Sequence, residues 1–590
     1  LTLPSNERIR LMPHMRMIFE IRDLNYASPA TVTRAGILFI SEAAQWKNYV
    51  ASWIVRFSES EIGTMAAEIK AARAKKLQDL FDKYMPPTLF EIAKGLFKTL
   101  VPVSAFNMAQ TLCFFLEGLL TNENVGVKGA DSFEMYFVLA AVWACGSAMS
   151  VIGGTDYRKE FSKWWKDTFK SVKFPHRGEV FDYYIDKKKG EFVAWAESVP
   201  AIAYDSATPL QMVTVPTGET ASVSFWIDNL LPRAHAAMLV GGAGCGKTAI
   251  VMGKLRALTE EYTSAVVNVN YFTNANSLQK ILEAPLEKKA GKNYGPPGNK
   301  KLIYFVDDLN MAALDKYNTA SNISLMRQHM GYGHIFDLNK LTQKVLNNTQ
   351  YLAAMNQSAG SFVVNPRLQR LFATFAVGFP SAESLSTIFT TFLGAHLRQF
   401  PSELQELGKK IVQAGLMLHK RVQGTFKKTA TNFHYEFNIR HMAGVFQGIL
   451  VAKPEQVSEP LKLVQLWIHE SERVYGDRLV SFMDQKKYKE LAVEQAKKYF
   501  KEMSPTALTS EPLIFAHFAG GIGEKNYDKL NTFAELSGLL EGALGEYNEA
   551  NAVMDLVLFE DAMRHICRIS RIIEAPNGHA LLVGVGGSGK

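Results

Sequence analysis

Cysteine is scarce in this sequence. Cys113, Cys145, Cys245 and Cys567 are the only four in 590 residues, and they form no CxxC pair or Cys/His cluster. That excludes a disulfide-stapled scaffold and a zinc ribbon, and a reducing intracellular compartment is expected. A surplus of one charge is also missing. Sixty-five basic and 57 acidic residues leave a net charge of +8 with no basic block, so no nucleic-acid partner is indicated. Long apolar runs are nearly absent. Residues 135–154 are uncharged over a span's length, but their Gly, Ala and Ser content reads as a buried core helix, and no membrane partner is expected. No signal peptide opens the chain, because Pro4, Asn6 and Glu7 follow Leu1 closely. The remaining composition, 47% hydrophobic and 21% charged, is that of a globular chain with three or more domains.

What is present is a phosphate-binding loop. Gly241-Gly242-Ala243-Gly244-Cys245-Gly246-Lys247-Thr248 fits G-x-x-x-x-G-K-[ST]. An apolar run precedes it (236–240) and a helix start follows it (249–252), which is the context this motif needs. The glycines let backbone N–H groups surround phosphate oxygens at the positive end of a helix. Lys247 then reaches the terminal phosphates of ATP or ADP, and Thr248 ligates Mg²⁺. A second copy, from Gly584 to Gly589 and Lys590, follows the strand-like run 580–583. The absence of an initiator Met, and a chain that stops inside this loop, lead us to expect an excerpt of a longer polypeptide.

The two loops are 343 residues apart. A second pair of features repeats at nearly the same period. Residues 17–20 and 353–356 each read as a short strand ending in a polar residue, Glu20 or Asn356. Each leads through a proline turn to an arginine, Arg34 or Arg370, and these lie 336 residues apart. A period of about 340 residues means tandem domains rather than a solenoid.

Within the complete unit, 265–269 reads as a buried strand and 302–308 as an apolar strand ending in Asp307 and Asp308. Asp307 would hold Mg²⁺ through water, and Asp308 would polarise the attacking water. Asn356, at the next strand end, could hydrogen-bond that water or a γ-phosphate oxygen. Alternating strands and helices imply a parallel sheet covered on both faces, with nucleotide outside the carboxyl ends of its strands. From about Ser381 the pattern turns helical. The expected fold class is therefore α/β: tandem AAA+ P-loop modules, each a parallel-sheet large domain followed by a helical small domain.

Four runs then show a resemblance: Val306-Asp307-Asp308-Leu309-Asn310-Met311, Arg327-Gln328-His329-Met330, Asn365-Pro366-Arg367-Leu368-Gln369-Arg370 and His434-Tyr435-Glu436-Phe437-Asn438-Ile439-Arg440. They resemble the third AAA+ module of dynein heavy chains. Residues 27–34 look like the second module, and 554–562 with 578–584 look like the opening of the fourth. Together with the Asp-Asp pair and Arg327-Gln328-His329-Met330, the run Tyr49-Val50-Ala51-Ser52-Trp53-Ile54 looks axonemal, most like the outer-arm beta type. The resemblance implies this division: 1–60, end of the second large domain; 61–175, its small domain; 176–390, linking segment and third large domain; 391–510, third small domain; 511–590, linking segment and start of the fourth module.

It further implies an ATP-driven, minus-end-directed microtubule motor of the ciliary or flagellar axoneme, whose third module is a regulatory nucleotide site. Arg370 (or Arg367) would be the finger for the second module's nucleotide and Arg34 the finger for the first's, while Arg440 would be the lid's sensor arginine. Val215 and Pro216 would lie near the adenine. Implied partners are the other modules of the same heavy chain, microtubules through a stalk outside this sequence, intermediate and light chains, and other heavy chains. Asp308 stands where many AAA+ proteins have Glu, which motivates an alternative, a nucleotide-bound scaffold that never turns over. A different single-chain AAA+ remodelling ATPase is a further alternative.

Overall fold

The computed structural model describes residues 5–21, 23–25, 27–40, 45–60, 67–125, 130–200, 202, 204, 208, 210, 213–316, 318–358, 364–576 and 578–584. The described residues from 45 to 168 are largely helical. Helices α1 (Gln45–Ser60), α2 (Ala67–Ala93), α3 (Ala105–Leu119), α4 (Ala130–Gly146) and α5 (Tyr157–Thr168) pack on one another. Residues 137–145 of α4 are buried throughout, so the apolar run is a core helix. Among the described residues no helix is long and apolar enough to cross a membrane. Trp165 stacks on Tyr84 with Phe169 beside it, and Phe161 packs against Trp165 in the same interior.

After α6 (Gly218–Leu230) comes a five-stranded sheet. Its strands are β1 (Ala236–Val240), β2 (Tyr262–Asn268), β3 (Lys301–Asp307), β4 (Thr349–Met355) and β5 (Phe372–Ala376). The order is β5-β1-β4-β3-β2, and every pairing is parallel. Helices α7 (Lys247–Arg256), α8 (Ala275–Glu283) and α9 (Ser321–Tyr332) are the crossovers. The period of two along each strand sorts the side chains into two cores. Ala237, Leu239, Phe305, Leu352 and Phe375 join the core of α1–α5. Ala236, Met238, Val240, Tyr304 and Ala353 face the other way, onto α8 and α9.

The preceding helices also close the β5 edge, which would otherwise present unpaired backbone. Asn107 donates to the Arg370 and Phe372 carbonyls at 3.0 and 3.2 Å, and Ser147 donates to the Thr374 carbonyl at 2.7 Å. The helical lid then follows: α10 (Ala382–Leu397), α11 (Ser402–Thr425), α12 (Ile439–Ile449), α13 (Pro460–Tyr475) and α14 (Phe482–Tyr499), with a core of its own. Its His469 is buried and bonded to the Leu513 carbonyl at 3.1 Å. Helices α15 (Phe533–Ala550) and α16 (Glu560–Glu574) complete the described chain.

Three expected strands differ in the structure. The 265–269 segment lies in β2, which is an edge strand and not a buried one, with Val266 exposed and Val267 buried. It pairs only with β3, so one of its sides meets solvent. Residues 17–20 and 580–583 form no strand, and Ile18, Phe19, Leu581 and Val583 are exposed. A strand exists only through hydrogen bonds to a neighbour, and neither stretch pairs with any described strand.

Candidate functional site

The phosphate loop leaves the sheet at Val240, the carboxyl end of strand β1, which lies between β5 and β4. A Cβ on Gly241 would overlap the Val377 carbonyl, so the loop passes close to the neighbouring strand's exit. Gly244 and Gly246 have φ of +74° and +93°, a region that side chains with a Cβ disfavour. A Cβ on Gly242 would meet nothing within 4 Å, which leaves the approach to the Gly242-Ala243 backbone open. The Cys245 thiol turns inward to the Gly242 carbonyl at 3.1 Å. Gly246 is the N-cap of α7, so the loop's amides lie at that helix's positive end.

Lys247 is 8% exposed, and its Nζ donates to the Gly241 and Gly242 carbonyls at 2.9 and 2.8 Å. An ammonium held among amides in this way gives a polyanion a fixed counter-charge. Thr248 Oγ1 donates to Asp307 Oδ2 at 2.8 Å, which joins the two residues expected to hold Mg²⁺. A hydroxyl and a carboxylate meeting beside an open loop form an oxygen donor set that suits this ion. Among the described residues no group of three or more His, Cys, Asp and Glu could hold a metal ion.

Asp308 follows in a left-handed conformation, φ +54°. Its carboxyl is pushed above the ordinary value, first by burial and then by Asp307, against the pull of Lys247 and Arg440. Asp307, Lys247 and Arg440 are thus all within electrostatic reach of Asp308. Asn310 is buried and its Nδ2 donates to the Asn356 carbonyl at 2.9 Å, which ties the β3 exit to the β4 exit. The Asn356 carboxamide oxygen accepts from Ser358 N at 3.1 Å and Ser358 Oγ at 2.8 Å. Ala312, just beyond Asn310 and Met311, is fully buried.

The lid comes up against the phosphate loop. Asn438 caps α12, accepting from Arg440 N at 3.0 Å while its own N–H donates to His441 Nδ1 at 2.9 Å. Its side chain stands over the phosphate loop: a Cβ on Gly244 would come within 2.6 Å of Asn438 Cγ. Sequence reasoning quoted this residue without giving it a role. The signal was an Asn two positions before a helical arginine, which is N-cap spacing. Val215 is buried in the lid core and Pro216 is half-buried beside it. Thr214 Oγ1 donates to the Ala249 carbonyl at 3.2 Å, which brings this segment along α7. Glu219 accepts from Ser381 N at 3.2 Å, where the lid begins.

The remaining residues lie on other segments of the chain. The short helix Pro366–Gln369, capped by Asn365, ends at Arg370, which is exposed. Arg367 on the same helix lies 3.4 Å from Glu20, the residue that the repeat equates with Asn356. Arg34 is exposed and follows a matching short helix, Pro29–Val32, capped by Ser28. Gly584 is exposed; Gly589 and Lys590 lie outside the described residues.

Comparison with known proteins follows these lines. Residues 202–380 match the P-loop containing dynein motor region, and 77–197 match the dynein heavy chain AAA lid domain. Residues 411–509 match an AAA+ lid domain, and 554–590 match the P-loop containing dynein motor region D4. Over its whole length the chain is 53% identical to the "Dynein alpha chain, flagellar outer arm" of Chlamydomonas reinhardtii. It is 48% identical to the "Dynein beta chain, ciliary" of Tripneustes gratilla and 47% to "Dynein axonemal heavy chain 17" of Mus musculus. The similarity extends to outer-arm alpha and beta types alike, and the chain spans about 13% of the length of each of these relatives.

Proposed function

This chain belongs to the axonemal dynein heavy chains, and we propose that it forms part of the ring of an ATP-driven microtubule motor of cilia or flagella, with residues 202–380 as a regulatory nucleotide site. The observation that carries this reading is the 2.8 Å bond between Thr248 and Asp307 beside a buried Lys247. The loop amides and Lys247 bind the phosphates of ATP or ADP. Thr248 and Asp307 would hold Mg²⁺, which would supply positive charge beside the phosphates. Asp308 orients water, the Asn356 carboxamide reaches the γ-phosphate side, and Arg440 reports that side to the lid. Val215 and Pro216 border the base. Arg370, or Arg367 in its place, faces the second module's site, in keeping with the Arg367–Glu20 pair, and Arg34 faces the first's. Gly584, Gly589 and Lys590 open the fourth module's loop. The domain limits follow the division that the resemblance implies. Microtubules, other modules, intermediate and light chains and other heavy chains are the partners of the whole motor.

Replacing Lys247 with Ala in the full-length motor tests the reading. Nucleotide occupancy at this site is expected to fall and microtubule gliding to change, and unchanged occupancy would refute the assignment.

One observation favours a second reading, a module that holds nucleotide without turning it over. Asp308, a methylene shorter than Glu, sits in a left-handed turn with a raised pKa. Single-turnover hydrolysis with the first module disabled separates the two, because measurable cleavage excludes the scaffold.

A further inference from the structure

One helix joins the phosphate loop to the segment ahead of the second Gly-Lys motif. The first contact of α12 is Asn438 over Gly244. Its last turn carries Gly448, where a Cβ would overlap the Glu470 carboxylate of α13. At a rise of about 1.5 Å per residue, the two contacts lie roughly 15 Å apart along one rigid element.

Glu470 is 0% exposed. It accepts from Arg571 Nε at 2.8 Å and from a second nitrogen of the same guanidinium, and its other oxygen takes the Tyr527 hydroxyl. Burial opposes its charge, yet Arg571 holds the carboxyl below the ordinary value. Arg571 lies on α16. One turn earlier on that helix, Arg568 Nε reaches Asp477 Oδ1 at 3.4 Å, just past the end of α13. Two arginines of α16 therefore bind two acids of the lid. A buried pair of this kind adds little stability over apolar packing, but it demands one docking geometry.

We propose that α12, α13 and α16 form one lever, in which α12 follows the phosphate loop and the Glu470–Arg571 latch passes its position to the fourth module. Gly448 is required because any side chain there would displace Glu470 from Arg571. The lever rests on the reading of residues 202–380 as a nucleotide-responsive site, and it names the route by which that site acts on its neighbour. The physical content is a two-state element biased from one end.

The test compares four full-length motors in microtubule gliding: unmodified, Lys247→Ala, the neutral latch Glu470→Gln/Arg571→Met, and all three changes together. With the native latch, Lys247→Ala is expected to change gliding velocity about fivefold. With the neutral latch, the same substitution is expected to change nothing. Equal effects in both backgrounds would overturn the lever while leaving the nucleotide site intact. No effect with the native latch would overturn the nucleotide reading itself, and the lever with it. Should the neutral latch fail to assemble, hydrogen exchange decides without it. With Mg·ATP, amides of residues 560–574 should exchange differently in the unmodified and Lys247→Ala motors, and identical exchange overturns the proposal.

Discussion

Thr248 Oγ1 donates a hydrogen bond to Asp307 Oδ2 at 2.8 Å, across the gap between α7 and β3. The two side chains converge on one point beside the phosphate loop, which makes them a matched pair and not two separate donors. Thr248→Val keeps the shape and removes the oxygen. Nucleotide binding measured with Mg²⁺ should weaken about tenfold. Binding measured in excess chelator should stay as it is, because the loop amides and Lys247 are untouched. Equal losses in both media would mean that the hydroxyl serves the fold and not the ion.

Gly244 combines two demands. Its φ is +74°, and a Cβ would come within 2.6 Å of Asn438 Cγ on the lid. Gly244→Ala is therefore expected to cost about 1–3 kcal/mol, seen as a lower melting temperature. Adding Asn438→Gly should recover the part due to the clash and leave the part due to φ. A double variant no more stable than Gly244→Ala would show that the lid does not press on the loop.

Local chemistry explains what was legible in the sequence. Gly241 to Thr248 and Asp307-Asp308 could be read because phosphate and magnesium dictate residue types at fixed short spacings. The buried run in α4 could be read because a lack of charge and many small residues leave few other solutions. Asn438 over Gly244 could not, since an asparagine 194 positions from a glycine carries no mark of contact. Glu470 and Arg571 are common surface residue types, and only the docking of α16 on α13 makes them a buried pair. The β2 strand was misjudged for a related reason. Val and Ala suit a central or an edge strand equally, and the order β5-β1-β4-β3-β2 decides which it is.

Asp308 should show its environment in a pH profile. Burial and Asp307 raise its pKa, while Lys247 and Arg440 oppose the rise. Arg440→Met removes one opposing charge, so the carboxyl should lose its proton only at a higher pH. If ionised Asp308 orients the attacking water, the acid limb of single-turnover hydrolysis should move to higher pH in the variant. A limb that stays in place would show that Asp308 is not the group that titrates there.

Four histidines make the fold sensitive to acid. Burial pushes His329, His419, His441 and His469 down to about 4. His329 is bonded to Tyr351 OH at 2.6 Å and Thr349 Oγ1 at 3.1 Å, and His419 to Tyr475 OH at 2.9 Å. His441 Nδ1 accepts from Asn438 N at 2.9 Å, an acceptor role that requires that nitrogen to be unprotonated. The unfolded chain takes up protons near pH 6.5, while the folded chain resists until about pH 4. Between those values the unfolded state binds more protons, so stability is full above roughly pH 6.5 and falls on acidification towards pH 4. Each histidine contributes at most on the order of 2–3 kcal/mol to that fall. The melting temperature should therefore drop steeply from pH 7 to pH 5. His419→Gln retains a polar partner for Tyr475 but cannot titrate, so its curve should be shallower by about one proton. A slope identical to that of the unmodified chain would place the acid sensitivity in the carboxylates instead.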